Sequence, residues 1–479
     1  MKLELTEEQL NPVTAPPEII RVVAGPGTGK TRCVTARIIY LLANAAKGNI
    51  LALSHTRKAI REIQIRIEQL VPHQRLLEKV KVMTLHAFCF KLAKFMDVID
   101  KKPRLLLEEK KIEFLKHCLE IHPVYEELEV ILNAIENCKN LLITPDEAYC
   151  LLPEDLAKLY EIYEKEKEKL KLCDFEDMVV SAYRKLSSDH ELAKKIRRYF
   201  HHIIVDEAHD MNKAQYEVVR ILQSGSFFTV LDPNQRIYSF RAGGGPLQRL
   251  ITDYPESKEF SLHVNFRSGK KIVTAANRLM NTDLKPRDNA AEGKIEIIIE
   301  SSWEKQAKEL AKRIIELIRE HPQEEIAVLV RTNFQAAEFA QVFEEYGIKT
   351  NLKLNRIITQ PKRLKEIPKN LWERALEIIR RFSGHKQIKR FKDKNIKVTI
   401  STIHRAKGKE WNCVIVPDVV EELPCCKNNK TDNSEEKRIF YVAVTRPKDV
   451  LILSAAKECY GKETKISSYI ELFSNIVSL

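Results

Sequence analysis

The chain has 479 residues, is 44% hydrophobic and 31% charged, and carries 80 Lys and Arg against 67 Asp and Glu, a formal charge of +13. That balance excludes a disordered chain, a collagen and an integral membrane protein, and the length predicts about two to four domains. The basic excess favours a polyanionic partner such as nucleic acid.

The first residues, Met1-Lys2-Leu3-Glu4, run into Glu7 and Glu8 with no apolar core. This is not the pattern of a secretory signal, so a cytoplasmic protein is expected, or a nuclear one in a eukaryote. The ten cysteines are scattered without a CxxC pair. That argues against a structural zinc or a four-Cys cluster and for free thiols in a reducing compartment.

Along the chain, β-branched apolar runs alternate with helical stretches. The first, Ile19–Val23, leads into Ala24-Gly-Pro-Gly-Thr-Gly-Lys-Thr31, followed by the helical pattern Val34, Ile38, Leu41, Leu42. Strand, Gly-rich turn and GKT before a helix is the context of a P-loop. Its backbone N–H groups wrap phosphates, Lys30 reaches them, and Thr31 offers its hydroxyl to Mg²⁺. The first glycine of the usual pattern is Ala24 here. Two further runs follow, Ile50–Leu53 and Val80–Leu85.

Residues 90–173 lack strand runs and are rich in Lys, Glu and Leu, which predicts a helical insertion. Within it, Glu161–Lys169 reads as an exposed charged helix. Ile203–Val205 then ends in Asp206-Glu207-Ala-His-Asp210. An acidic pair at a strand end suits a Mg²⁺ ligand beside a group that polarises water. Phe227–Leu231 precedes the glycine cluster 243–245. Ile295–Ile299, Ile326–Val330, Val398–Ile403, Val414–Val416 and Val450–Leu453 complete ten strand candidates. Ten buried strands are too many for one sheet, so two α/β domains are predicted. Residues 351–395 hold fourteen Lys and Arg against four acids, a local excess of +10.

These motifs, in order, resemble those of the UvrD/Rep/PcrA-like superfamily 1A helicases. Leu5-Thr-Glu-Glu-Gln9-Leu-Asn11 looks like the Q motif, Leu51–Lys58 motif Ia, and Met83–Cys89 motif Ib. Asp174-Phe-Glu-Asp177 resembles the segment preceding motif II. Leu231–Arg241 looks like motif III, Leu262–Ser268 motif IV, Val398–Trp411 motif V and Glu435–Arg446 motif VI.

The resemblance implies two RecA-like P-loop motor domains with a helical 1B insertion in the first. Residues 1–89 and 174–266 are expected to form domain 1A and residues 90–173 the insertion. Residues 267–350 and 396–479 are expected to form domain 2A. The basic stretch 351–395 would be a strongly reduced 2B-like insertion. An ATP-dependent 3′→5′ DNA helicase or translocase with Mg²⁺ is implied, acting on single-stranded DNA and single-strand/duplex junctions. A helicase-like ATPase subunit in repair or antiphage defence, with little unwinding alone, stays open. So does a protein partner held by the insertion or the basic stretch.

The resemblance also assigns residues. Lys30, Asp206, Glu207, Gln235, Arg267 and Arg446 would be catalytic, the two arginines as fingers and Gln235 as the γ-phosphate sensor. Gln9, Gly25, Gly27, Thr28, Gly29, Lys30, Thr31, Arg32, Phe266 and Glu410 would hold the nucleotide, with Thr31 and Asp206 on the metal. Phe266 stands where the family usually has Tyr. His55, Thr56, Thr84, His86, Tyr238, Phe240, Arg241, Thr402 and His404 would face nucleic acid. His55 replaces the usual Phe, and Phe240 a frequent Trp.

Overall fold

The computed structural model describes residues 4–44, 47–95, 104–237, 246–352, 398–421, 433–459 and 461–476. Residues 353–395 of the basic stretch, the glycine cluster 243–245, and Tyr238, Phe240 and Arg241 lie outside these residues. The chain divides into two compact units, Met1–His263 and Val264–Leu479.

In the first unit, six parallel strands form one sheet: β1 (Ile19–Ala24), β2 (Asn49–Ser54), β3 (Val80–Thr84), β6 (Phe200–Val205), β7 (Ser226–Leu231) and β8 (Lys258–Leu262). Their order is β3-β2-β6-β7-β1-β8. Alternate residues of each strand supply two cores, one on each face. Leu51, Ile203, Val205 and Phe227 pack on one side; Ile50, Ala52, Ile204 and Phe228 pack on the other. Burial on both faces is why these strands read as unbroken apolar runs. β8 escapes the sequence reading because Lys258-Glu-Phe-Ser-Leu262 is an edge strand, hydrogen-bonded to β1 alone and largely exposed.

The insertion is helical, with Glu108–Ile121, Leu128–Asn140, Pro145–Ala148 and Glu154–Lys169 around a core of its own. A two-residue ladder closes its base, pairing β4 (Arg104–Leu105) with β5 (Leu172–Cys173), too short to show as a strand run. The Glu/Lys helix is not simply exposed, as its charge run predicted. Leu156, Leu159, Tyr160, Tyr163 and Lys167 fall on one helical face and are buried.

Lys167 belongs to an ion cluster joining the insertion to helix Phe175–Ser188. Lys139 Nζ lies 2.6 Å from Asp174 Oδ2 and 2.5 Å from Asp177 Oδ1. Lys167 Nζ lies 3.0 Å from Asp174 Oδ2 and 2.8 Å from Asp177 Oδ2. Asp174 also caps that helix, accepting from the Asp177 N–H at 2.9 Å. Burial would push the Lys139 ammonium down, but the carboxylates of Asp174, Asp177 and Glu164 hold it well above the usual lysine range. Glu164, Asp174 and Asp177 stand close enough to hold a metal ion, but the two ammonium groups already fill that role.

The second unit carries β9 (Val264–Asn265), which pairs with β10 (Lys285–Pro286), and a five-stranded parallel sheet. Its strands are β11 (Lys294–Glu300), β12 (Ile326–Val330), β13 (Thr399–Thr402), β14 (Trp411–Val416) and β15 (Pro447–Ala456), in the order β11-β15-β14-β12-β13. Ile326, Val328, Ile400, Ile415 and Ile452 meet helices Trp303–Glu320 and Asn333–Glu345 in its core. The fold class is therefore two α/β RecA-like units with a helical insertion in the first. The eight described cysteines are free thiols. Among the described residues, no helix is long and apolar enough to cross a membrane.

Two residues past the carboxyl end of β14, Asp418 is buried and accepts from Gln335 Nε2 at 2.9 Å. Burial pushes its carboxyl up to about 7, opposed by the Gln335 and Gln306 amides. A carboxyl raised in the folded state binds its proton more tightly folded than unfolded. Its contribution to stability is full below the ordinary carboxylate range and is lost as pH rises through about 7. Asp418→Asn is therefore expected to gain on the parent in thermal midpoint as pH goes from about 5 to about 8. A pH-independent difference overturns this. Lys139→Met leaves Asp174 short of a counter-charge and should cost about 3 kcal/mol, read as a lowered unfolding midpoint; an unchanged midpoint counts against it.

Candidate nucleotide and nucleic-acid site

The loop after β1 turns through two left-handed glycines, Gly27 (φ +73°) and Gly29 (φ +85°), and Gly29 caps helix Lys30–Ala43. A Cβ on Gly29 would meet Gln9 Nε2 at 2.6 Å. Gln9 is buried against the loop, donating from Nε2 to Thr28 O at 2.9 Å and accepting from the Thr6 N–H at 3.3 Å. The Thr28 hydroxyl donates to Gly25 O at 2.9 Å, and the Arg32 guanidinium donates to Glu4 O. Lys30 Nζ folds back to Gly25 O at 3.2 Å and lies 3.5 Å from Asp232 Oδ2.

Strand order gathers the rest. β7 lies between β1 and β6, so the residues following β1, β7 and β6 come together at one sheet edge. After β6 stands Asp206, fully buried, whose Oδ2 accepts from the Thr31 hydroxyl at 3.3 Å. Burial, and next the Glu207 carboxylate, push Asp206 up to about 7; Lys30 and the Thr31 hydroxyl pull the other way. A buried carboxylate raised by a like charge and set beside a hydroxyl is a donor set that suits a divalent cation. Glu207 takes a left-handed backbone (φ +54°), and its Oε2 is buried with no hydrogen-bond partner among the described residues.

Two residues here were missed as site candidates. Asp232, after β7, accepts from Gln235 Nε2 at 2.6 Å and faces Lys30. His209, fully buried, accepts the Asp232 N–H on Nδ1 at 3.0 Å. That fixes the ring proton on Nε2, 3.5 Å from Glu207 Oε2. The signal for both was present in the sequence: an Asp directly after an apolar strand, and a His inside the acidic motif.

The expected nucleic-acid residues of the first unit stand farther along the same edge. His55 and Thr56 follow β2, Thr84 ends β3, and His86 stands two residues beyond it. Thr56 Oγ1 accepts from the Ala59 N–H, and Thr84 Oγ1 accepts from the Ala87 N–H, both at 3.2 Å. Each caps a helix, and its own O–H proton is not used in that bond.

In the second unit, Arg267 Nε donates to Glu410 Oε2 at 2.7 Å, and its Nη1 donates to Thr445 O. Asn265 Oδ1 accepts from the Arg267 and Ser268 N–H groups and holds the turn. Burial would raise Glu410, but Arg267 and then Lys448 hold its carboxyl below the usual range. Arg446 is buried and donates to Val442 O and Lys409 O. Phe266 is half-buried beside Arg267. Thr402 ends β13 and His404 follows it, at that strand's carboxyl end, whereas Glu410 and Arg446 precede β14 and β15. Within this unit, the arginines and the Thr402–His404 pair thus occupy opposite sheet edges.

Gly29→Ala should cost about 1–2 kcal/mol from its left-handed backbone and displace Gln9, lowering both the thermal midpoint and the affinity for a fluorescent ATP analogue. A variant equal to the parent in both counts against the loop geometry described.

The family described as UvrD/REP helicase N-terminal domain matches residues 5–249, and the UvrD-like helicase C-terminal domain matches residues 260–357 and 352–458. The ATP-dependent DNA helicase PcrA of Staphylococcus epidermidis is 29% identical over 381 residues, covering 73% of this chain and 50% of that protein. PcrA of Staphylococcus aureus gives the same identity and coverage. The probable DNA helicase II homolog of Mycoplasma genitalium is 31% identical over 304 residues, 58% of this chain and 42% of that protein. The chain spans about half the length of the curated relatives it matches. With both family domains matched in order across two parallel-sheet units, the chain belongs to the UvrD/REP helicase family.

Proposed function

We propose that this chain is an ATP-driven motor that moves 3′→5′ on single-stranded DNA and opens duplex at single-strand junctions. The observation that carries the reading is the meeting of Lys30, Thr31, Asp206, Glu207, Asp232 and Gln235 at the carboxyl ends of three adjacent strands. The PcrA relatives, described as ATP-dependent DNA helicases, support the substrate class.

In this reading, the N–H groups of Gly27–Thr31 and the following helix terminus bind the ATP phosphates. Lys30 exchanges its loop carbonyls for phosphate oxygens, and Gln9 lies against the loop to read the base. Mg²⁺, held by Thr31 and Asp206, would neutralise charge on the β- and γ-phosphates. Glu207, whose buried Oε2 faces His209 Nε2 at 3.5 Å, orients the attacking water and takes its proton. Gln235, tied to Asp232, senses the γ-phosphate. Arg267 and Arg446 supply positive charge as it is transferred, and Phe266 stacks on the base.

Thr56, Thr84 and His86 contact the strand backbone, and His55 stacks on a base. The threonine hydroxyls suit this task, because each accepts from a helix N–H and keeps a proton for a phosphate oxygen. Thr402 and His404 act likewise in the second unit, and Tyr238, Phe240 and Arg241 are assigned to base stacking and phosphate contact from sequence alone.

A second reading has its own support. Between β12 and β13 the chain has residues 331–398, little room for a 2B domain, and so the protein is alternatively an ATPase subunit that remodels nucleoprotein with little unwinding alone. ATP hydrolysis measured without nucleic acid, with single-stranded DNA and with single-stranded RNA tests the motor. DNA stimulation is expected, and Glu207→Gln should lower the stimulated rate at least about 100-fold. Strand displacement then separates the readings. No stimulation by either polymer overturns both.

A further inference from the structure

A short segment leads from the acidic pair to a side-chain contact with His86, beside the Thr84 cap. After Glu207, a 3₁₀ turn over Ala208–Asp210 is closed by the Asp210 N–H on Glu207 O at 3.0 Å. Asn212 follows at once and caps helix Lys213–Leu222. Its Oδ1 accepts from the Gln215 N–H at 2.8 Å, and Gln215 Oε1 accepts from the Asn212 N–H at 3.1 Å.

Gln215 is 3% exposed and uses both ends of its amide. With Oε1 committed to the cap, Nε2 faces His86 Nε2 at 3.4 Å. A donor aimed at that ring nitrogen requires a lone pair there, so the imidazole proton sits on Nδ1. His86 stands two residues beyond the end of β3, next to the helix cap formed by Thr84. On its other side, Asn212 Nδ2 donates to Asn140 Oδ1 of the insertion at 2.6 Å.

We infer that Gln215 is a positioning residue that transmits occupancy of the His86 site to Glu207. The inference rests on the reading of Glu207 as the base and His86 as a strand contact. The amide has two arrangements. In the one observed, it caps Asn212 and donates to His86. When His86 turns an N–H at Nε2 toward this side, or its ring shifts to meet a phosphate, the donor–acceptor match with Gln215 is lost. Flipping the amide restores it but sets Nε2 against the Asn212 N–H, donor to donor, and the cap opens. The cap lies five residues from Glu207, whose left-handed backbone is the strained point of the segment. A two-state element of this kind, biased from one end and read at the other, is what coupling between sites requires.

Gln215→Glu tests this. Glutamate is an ordinary partner in such a cap and keeps the acceptor for the Asn212 N–H, while the donor to His86 is removed. The ATPase rate is measured without nucleic acid and at saturating oligodeoxythymidine, with oligonucleotide affinity followed by fluorescence anisotropy. The expected result is a ratio of stimulated to unstimulated rate lowered about five-fold or more, with affinity little changed. The double variant with His86→Ala should lose no more of the ratio than His86→Ala alone. Gln215→Ala, which also removes the cap acceptor, should lower the thermal midpoint and serves as the structural comparison. A stimulated parent with an equally stimulated Gln215→Glu variant overturns the coupling and leaves the motor reading standing, as do additive losses in the double variant. A parent with no stimulation overturns the motor reading and the coupling with it.

Discussion

A parallel sheet delivers every strand to the same edge, and that constraint organises the first unit. The chain must turn after each strand, and each turn opens a helix whose first N–H groups have no partner within it. Such an edge is a natural place for phosphates. The order β3-β2-β6-β7-β1-β8 divides the edge. In the proposed function, the turns after β6, β7 and β1 serve the nucleotide, and those at the ends of β2 and β3 serve the strand backbone. Asp232 ties the first group together, because β7 is the middle strand: its side chain faces Lys30 and Gln235, and its backbone N–H binds His209.

Much of this was legible in the sequence, for a physical reason. Central strands buried on both faces must be apolar throughout, and the ten apolar runs fall in strands, although β3, β11 and β13 are edge strands that keep enough apolar residues to be read. β8 was hidden because an edge strand needs apolar residues on fewer positions. The Glu/Lys helix misled because composition reports charge and not direction. Its sequence is nearly all charged around Tyr163, yet Lys167 lies one helical turn from that ring and points inward to Asp174. The P-loop and the acidic pair were legible because their chemistry depends on adjacent residues. Asp232 and His209 each carry a local signal, but the contact that joins them links residues 23 apart in sequence and is set by strand order.

One local device recurs. Several helices begin with a residue that caps the third N–H and is capped in return by that third residue. Asp174 with Asp177, Asn212 with Gln215, and Thr332 with Gln335 all follow this scheme. In each, the third residue has a second partner: Lys139 for Asp177, His86 for Gln215, Asp418 for Gln335. Gln9 repeats the theme, accepting from Thr6 and donating to the P-loop at Thr28. A side chain whose rotamer is already fixed by a cap loses little further freedom when it makes a long-range bond. The caps thereby serve as rigid mounts from which tertiary contacts are made.

The ion cluster beneath the insertion bears on how such a protein is altered over evolution. Lys139 and Lys167 come from the insertion, and Asp174 and Asp177 belong to the helix that resumes the sheet domain. The insertion is thus not an interchangeable cassette. A different helical segment spliced between Leu105 and Leu172 would have to bring its own two ammonium groups to the same place. Without them, two carboxylates at the start of a core helix would be left buried against each other. The insertion and the domain it sits on are thus held to each other by these four side chains.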